Sequence, residues 1–331
     1  MNHSCMSASL LVCFVQPVMQ QTGVCFYGAV FAITRCISHT ARASTGRAAY
    51  SSTEELRMDL LLVIKAIIMG IVEGITELLP ISSTGHLILA ADVMNFLSHD
   101  KRVVFEIFIQ MGAMLAIVWE YRVKIFSSLA GAVRPGIERN LFINVAIAFF
   151  PAALVGFLFS DFIRTVLFSP YVVAGGFIVG GVIIMWVEKY AYAPRLDDMD
   201  RISYADAFNV GLCQCLALIP GTSRSGATII GGMYFGLSRR ASTEFSFFLA
   251  IPMIGAASLY ALWEAREQME IEDMGILAIG FITSFFVTFA VMRALLRFVS
   301  KHTYMAFAWY RIAFGLLVLA TAYTGVINWS V

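Results

Sequence analysis

The chain has 331 residues, of which 59% are hydrophobic and only 14% charged, with a formal net charge of +1 and a mean hydropathy of +0.79. A soluble domain carries about 25% charged residues, so a water-solvated body is excluded, and the near-zero charge gives nucleic acid no footing. Long apolar runs separated by short charged stretches recur from residue 60 to the C-terminus, the pattern of several membrane helices.

Residues 1–57 differ. They are rich in Ser, Thr, Gln and Cys, and hold Cys5, Cys13, Cys25 and Cys36, four of the chain's six cysteines. No Cys-x-x-Cys metal spacing occurs here, and the basic–apolar–small order of a signal peptide is missing. Met58 opens a strongly apolar helix. The expectation is that Met58 is the true start and that 1–57 lies upstream of it or forms a disordered extension. The rival is one extra membrane helix.

From there the chain reads as a single all-α polytopic membrane domain, 58–331. Apolar helices are expected at about 103–119, 141–159, 171–187, 243–263, 275–296 and 305–326, each long enough, or nearly so, to span a bilayer with some tilt. Two regions are less regular. Residues 60–97 are interrupted by Pro80 and the run Ser82-Ser83-Thr84-Gly85-His86, and residues 204–237 by Pro220-Gly221-Thr222-Ser223-Arg224-Ser225-Gly226. Polar, broken backbone in an apolar setting survives only where it is buried in protein or lines a cavity. Both regions therefore read as re-entrant helix-loop-helix hairpins.

The two regions also align. With Gly70 placed on Gly211, Glu73 falls on Gln214, Ser82 on Ser223, Ser83 on Arg224, Thr84 on Ser225 and Gly85 on Gly226. After each hairpin comes a carboxylate, Glu106 and Glu244, in or just before the next span. Each half, about 58–190 and 204–331, then holds one hairpin and three spans. Three is odd, so the second half is inverted relative to the first, an architecture that places binding sites where broken helices meet. Lys and Arg set the orientation. One side collects Arg122, Lys124, Arg134, Arg139, Lys189, Arg195, Arg201, Arg239, Arg240, Arg293, Arg297 and Lys301, and the other only Lys101, Arg102, Arg164 and Arg266. The richer side is expected in the cytoplasm, with the first hairpin entering from outside.

Glu73 and Glu77 are four apart and share one helix face, about 6 Å from each other. Two such carboxylates in an apolar helix call for a cation or a retained proton, and oxygen ligands of this type suit Mg²⁺ or Ca²⁺. In the adjoining loop, Ser82, Ser83 and Thr84 supply hydroxyls, and backbone N–H groups at a helix start cradle phosphate. A hydroxyl near His86 and carboxylates is the parts list for nucleophilic catalysis. The bland readings are helix capping for the hydroxyls and a satisfied core residue for His86. The second loop supplies Arg224 between Ser223 and Ser225. Its forked guanidinium suits phosphate, although pairing with a buried Glu is the simpler alternative. Thr228 adds a hydroxyl or bonds its own helix backbone.

The segment Glu73-Gly-Ile-Thr-Glu77, followed by Leu-Pro-Ile-Ser-Ser-Thr-Gly-His86, resembles the glutamate-rich and Ser-Ser-Thr-Gly-His motifs of the undecaprenyl-pyrophosphate phosphatase family. Pro220-Gly-Thr-Ser-Arg-Ser-Gly-Ala-Thr228 is similar to its Pro-Gly-x-Ser-Arg-Ser-x-Ala-Thr motif. The likeness runs from about Met58 to the C-terminus. The resemblance implies six spans plus two re-entrant hairpins in the bacterial inner membrane, with the site open to the outer face. It further implies a divalent-metal-dependent phosphatase acting on undecaprenyl pyrophosphate, and resistance to bacitracin, which sequesters that lipid. On this reading Ser83 is the nucleophile and His86 the general base and acid. Glu73 and Glu77 hold metal or position His86, while Ser82, Thr84, Ser223, Arg224, Ser225 and Thr228 bind phosphate. A metal-bound water as nucleophile uses the same residues. The lipid is the expected partner, a homodimer is compatible with the sequence, and a polyprenyl-phosphate flippase is the alternative from another class.

Overall fold

The computed structural model describes residues 51–131, 136–265, 273–327 and 329; the expectations for residues 1–50 lie outside them. The chain divides into two units, Met1–Arg57 and Met58–Val331. Helix α1 (Ser51–Thr76) begins ahead of Met58. A turn at 77–81 joins it to α2 (Ser83–Met94), completing the first helix-loop-helix hairpin. Three long helices follow, α3 (His99–Glu120), α5 (Ile137–Leu158) and α6 (Pro170–Trp186), with a short helix α4 (Arg122–Gly131) after α3. The second hairpin is α7 (Tyr204–Cys215) and α8 (Arg224–Tyr234). Three further long helices close the chain: α9 (Arg239–Ala265), α10 (Met274–Val299) and α11 (Met305–Thr324).

Among the described residues six helices are long and apolar enough to cross a membrane, and they fall on the six apolar runs of the sequence. Among the described residues there is no strand, only an isolated bridge between Leu196 and Leu237. The protein is an all-α polytopic membrane protein. Its outer surface is what a lipid solvent selects: Phe157 on α5 is 79% exposed and Phe286 on α10 64%, an arrangement that water would penalise at about 25 cal/mol per Å². Helix α4 was not anticipated, because its apolar run is short and it carries Arg122 and Lys124.

Local chemistry fixes the helix ends. Ser203 and Asp206 form a reciprocal capping box at the start of α7. Ser169 accepts from the Val172 amide while Pro170 occupies the first turn of α6. Gly325, at φ 67°, ends α11 in the left-handed conformation.

Packing follows the internal repeat. The first spans of the two halves, α3 and α9, lie against each other, as do the last spans, α6 and α11. Each hairpin leans on the middle span of the other half. A Cβ at Gly70 on α1 would sit 2.7 Å from the Gly280 carbonyl oxygen of α10, and one at Gly211 on α7 would sit 2.6 Å from the Ala148 carbonyl oxygen of α5. Only glycine permits such approach, and these are the two residues that the sequence alignment superposes. The hairpin loops meet in the middle of this arrangement, above a core that includes Leu78, Ile229, Ile230, Phe247 and Met292.

Candidate active site

The two loops adopt the same unusual backbone at equivalent positions. Ser82 has φ 66°, ψ 109° and Ser223 has φ 74°, ψ 119°. A non-glycine residue in this region costs on the order of 1–3 kcal/mol and persists only where its surroundings hold it. Each serine is the N-cap of the following helix. Ser223 uses its Oγ to accept from the Gly226 amide at 3.1 Å, whereas the Ser82 side chain makes no capping bond. The first-turn amides of α2 are therefore left available to a ligand.

Between the loops lies a cavity of about 220 Å³. Its polar wall is made by Glu77, Ser82, Ser83, Thr84, Ser223 and Arg224, joined by Gln110 of α3 and Gln214 of α7; Met253, Ile254 and Ala257 of α9 form an apolar flank. The centre is a three-residue relay. Ser83 Oγ donates to Glu77 Oε2 at 2.8 Å, and Arg224 Nη2 donates to Glu77 Oε1 at 3.0 Å. Glu77 is 7% exposed and the Arg224 side chain 14%. Removing one partner from a buried pair of this kind costs about 3–5 kcal/mol. Arg224 Nη1 is fixed from behind by the Ser246 carbonyl at 3.0 Å, and Thr228 Oγ1 shares a 2.7 Å hydrogen bond with Ser246 Oγ.

Not every residue singled out in the sequence reaches the cavity. Ser225 turns inward and donates to the Leu79 carbonyl at 2.8 Å, tying the second loop to the first. Thr228 donates to its own helix backbone and meets Ser246, beneath Arg224. Neither lines the cavity; both brace it. His86 is held elsewhere. Its Nδ1 donates to the Ser82 carbonyl at 2.7 Å, Nε2 is 2.6 Å from the Tyr310 hydroxyl, and the ring stacks on Phe314 with centroids 4.0 Å apart. The Ser83 hydroxyl, for which the sequence reading makes His86 the general base, is hydrogen-bonded to Glu77. Glu73 lies one turn below Glu77, fully buried, with neither carboxylate oxygen hydrogen-bonded. Among the described residues no group of three His, Cys, Asp or Glu converges as a metal-binding cluster.

Sequence reasoning missed Gln110, Ser246 and Arg311. Arg311 is 1% exposed in the middle of α11. A lone arginine inside a run otherwise free of charge is itself a signal of function or buried pairing, but the run was read only as a span.

A buried hydroxyl–carboxylate–guanidinium relay where the two hairpin loops of a membrane protein meet has the donors that suit a strongly anionic ligand. Comparison with known proteins gives the family. Residues 66–317 match the family model described as "Bacitracin resistance protein BacA", and the chain belongs to that family. Among its relatives is undecaprenyl-diphosphatase 1 of Chromobacterium violaceum, 62% identical over 265 residues that cover 80% of this chain and 98% of that protein. Undecaprenyl-diphosphatase 2 of Rhodospirillum rubrum is 52% identical over 273 residues, 82% of this chain and all of that protein. The undecaprenyl-diphosphatase of Nitrosospira multiformis has the same identity and coverage.

Proposed function

We propose that this chain hydrolyses undecaprenyl pyrophosphate to undecaprenyl phosphate in the bacterial inner membrane, regenerating the carrier lipid of cell-wall synthesis and lowering the amount of lipid that bacitracin can sequester. The observation that carries the reading is the Ser83–Glu77–Arg224 relay, assembled from both hairpins in one cavity, in a chain whose relatives are named for this activity.

The chemistry follows from who touches whom. Arg224, the hydroxyls of Ser82, Thr84 and Ser223, and the first-turn amides of α2 receive the pyrophosphate oxygens. Ser83 Oγ attacks the terminal phosphorus and its proton passes to Glu77, which hands it to the departing undecaprenyl phosphate and is a carboxylate again. The Oγ–P bond forms, the anhydride P–O bond breaks, and undecaprenyl phosphate leaves. Water, deprotonated by Glu77, then cleaves the phosphoserine and releases inorganic phosphate. Phosphoryl transfer needs positioning and charge stabilisation above all, and a cation adds to both. Glu73, the buried carboxylate with unused lone pairs, fits such a cation, and with Glu77 it would hold Mg²⁺ or Ca²⁺, which would neutralise phosphate charge. His86 acts at one remove, by pinning the Ser82 carbonyl.

Both hairpins are read as re-entrant, the first from the outer face and the second from the cytoplasm, so that recycling takes place at the outer face. Cysteine at Asp100 should then react with an impermeant maleimide in intact spheroplasts and cysteine at Ser127 only after lysis; the reverse pattern overturns the orientation. The function is tested by phosphate release from a polyprenyl pyrophosphate by purified protein in detergent. Transfer of the lipid between leaflets of a vesicle without phosphate release would replace the phosphatase by a flippase.

A further inference from the structure

Arg311 has an environment unlike that of any other cation described here. It is 1% exposed, and among the described residues it meets no carboxylate. Each of its three nitrogens donates to a backbone carbonyl. Nη1 donates to Pro80 at 2.9 Å, and Nη2 donates to Gly176 at 2.7 Å and Gly221 at 3.0 Å. Nε donates to Phe177 at 3.3 Å. A buried guanidinium without an anion is costly, so the fold keeps it for a reason other than pairing.

The choice of acceptors supplies the reason. Pro80 belongs to the first loop and Gly221 to the second, and the alignment that places Ser82 on Ser223 places Pro80 on Gly221. One side chain thus grips the same peptide carbonyl in both halves of the repeat. Each gripped carbonyl lies two residues before the strained serine, Ser82 at φ 66° and Ser223 at φ 74°. Strain of this kind lasts only if neighbours over-determine it. The α6 helix yields space for the grip, because a Cβ at Gly180 would lie 2.1 Å from Arg311 Nη2.

We propose that Arg311 is the positioning residue of the site: it clamps the equivalent carbonyls of the two hairpin loops, holds Ser82 and Ser223 in their strained conformation, and thereby keeps Ser83 and Arg224 in register across Glu77. It touches no substrate and acts through the loops. This rests on the reading of the cavity as the pyrophosphate site.

Two variants test it. Arg311→Lys keeps the charge but replaces the planar fork by a single ammonium that cannot reach carbonyls on three elements at once. Gly180→Ala keeps the arginine and pushes its guanidinium off the Gly176 and Gly221 carbonyls. Purified in detergent, Arg311→Lys should lose at least about tenfold in kcat with KM changed less than about threefold, and Gly180→Ala should show the same split more weakly, since groups acting only on orientation leave ground-state binding to others. Amide hydrogen exchange should accelerate at 81–85 and 222–226 in both variants, with the rest of the α2 and α8 helices protected as in the wild type. Exchange is read whether or not the protein turns over lipid, so failure of the proposed activity, seen as an inactive wild type, is distinct from failure of the clamp. Wild-type kcat in both variants overturns the clamp, as does a rise in KM with kcat preserved, which would give Arg311 a direct role in binding. Faster exchange throughout the bundle, or a Lys variant that does not fold together with an Ala variant of unchanged loop exchange, reduces Arg311 to a packing residue and also overturns it.

Discussion

The two hairpins share a backbone and divide the chemistry. Both approach the centre against the middle span of the opposite half, both cap their second helix with a serine at positive φ, and both offer a carbonyl to Arg311. Yet where the first hairpin has Glu73 the second has Gln214, and where the first has Ser83 the second has Arg224. The first carries the hydroxyl and the carboxylates; the second carries the positive charge. A symmetric frame thus places a hydroxyl with carboxylates on one side of the cavity and a guanidinium on the other. Duplication supplies geometry, and a few substitutions at matched positions supply reactivity.

Replacing a residue on one side of this division should cost more than replacing one that only supports it. The largest effect is expected at Ser83. Ser83→Ala removes the covalent route, so turnover should fall more than about a hundredfold while the lipid still binds; retention of more than about a tenth of the wild-type rate, a barrier change of no more than ~1.4 kcal/mol, would assign the attack to water. Next comes Arg224→Lys, which leaves the charge but not the fork. A loss of at least about tenfold is expected, in line with roughly 1.5–3 kcal/mol for a charge-assisted hydrogen bond. Near-normal kinetics would make Arg224 a structural partner of Glu77 alone. Glu73→Gln makes the first hairpin like the second at that position. If Glu73 serves a cation, activity in this variant should need several-fold more Mg²⁺ or Ca²⁺ for half-maximal rate, and EDTA should abolish activity in the wild type. An unchanged metal titration, or full activity in excess chelator, removes the cation from Glu73. The smallest effect is expected for His86→Gln, whose amide can still donate to the Ser82 carbonyl: a loss smaller than that of Arg224→Lys, with the pH–rate profile unchanged in shape. A profile that loses one limb would restore His86 as the proton-transfer group.

The spans were legible because lipid imposes a crude filter: a run of some twenty apolar residues has few other fates. The hairpins were legible for the complementary reason, since Pro80, Gly221 and their polar neighbours break such runs. Glu77, Ser83 and Arg224, singled out by motif spacing, do lie together in one cavity. Partner choice inside the site was less readable. His86 lies three residues from Ser83 in sequence, and proximity along the chain suggested contact, but helical geometry turns its ring toward Tyr310 and Phe314 on α11, a span that the sequence gives no means of docking there. Ser225 and Thr228 were assigned to phosphate for their hydroxyls, whereas the short α8 start buries both against backbone and Ser246. Arg311 escaped notice because its partners are carbonyls, which every residue possesses and no motif marks. Helix α4 was missed because it is too short and too charged for a span filter to register.

Glu77 already occupies the space between a hydroxyl and a guanidinium that a phosphoryl oxygen would take. It is an internal competitor, tethered to the site and so present at a high effective concentration. An anion that takes Arg224 Nη2 must displace it there, which would set a threshold against weak ligands. Free inorganic phosphate, with one phosphoryl group and no lipid anchor, would be poorly equipped to cross that threshold. A pyrophosphate lipid brings a second phosphoryl group and is confined to the membrane plane beside the cavity. On the proposed function the occupied resting state would discriminate between what the protein receives and what it lets go, and inhibition by phosphate measured beside inhibition by pyrophosphate reads its strength. Equal potency of the two would show that Glu77 offers no such resistance.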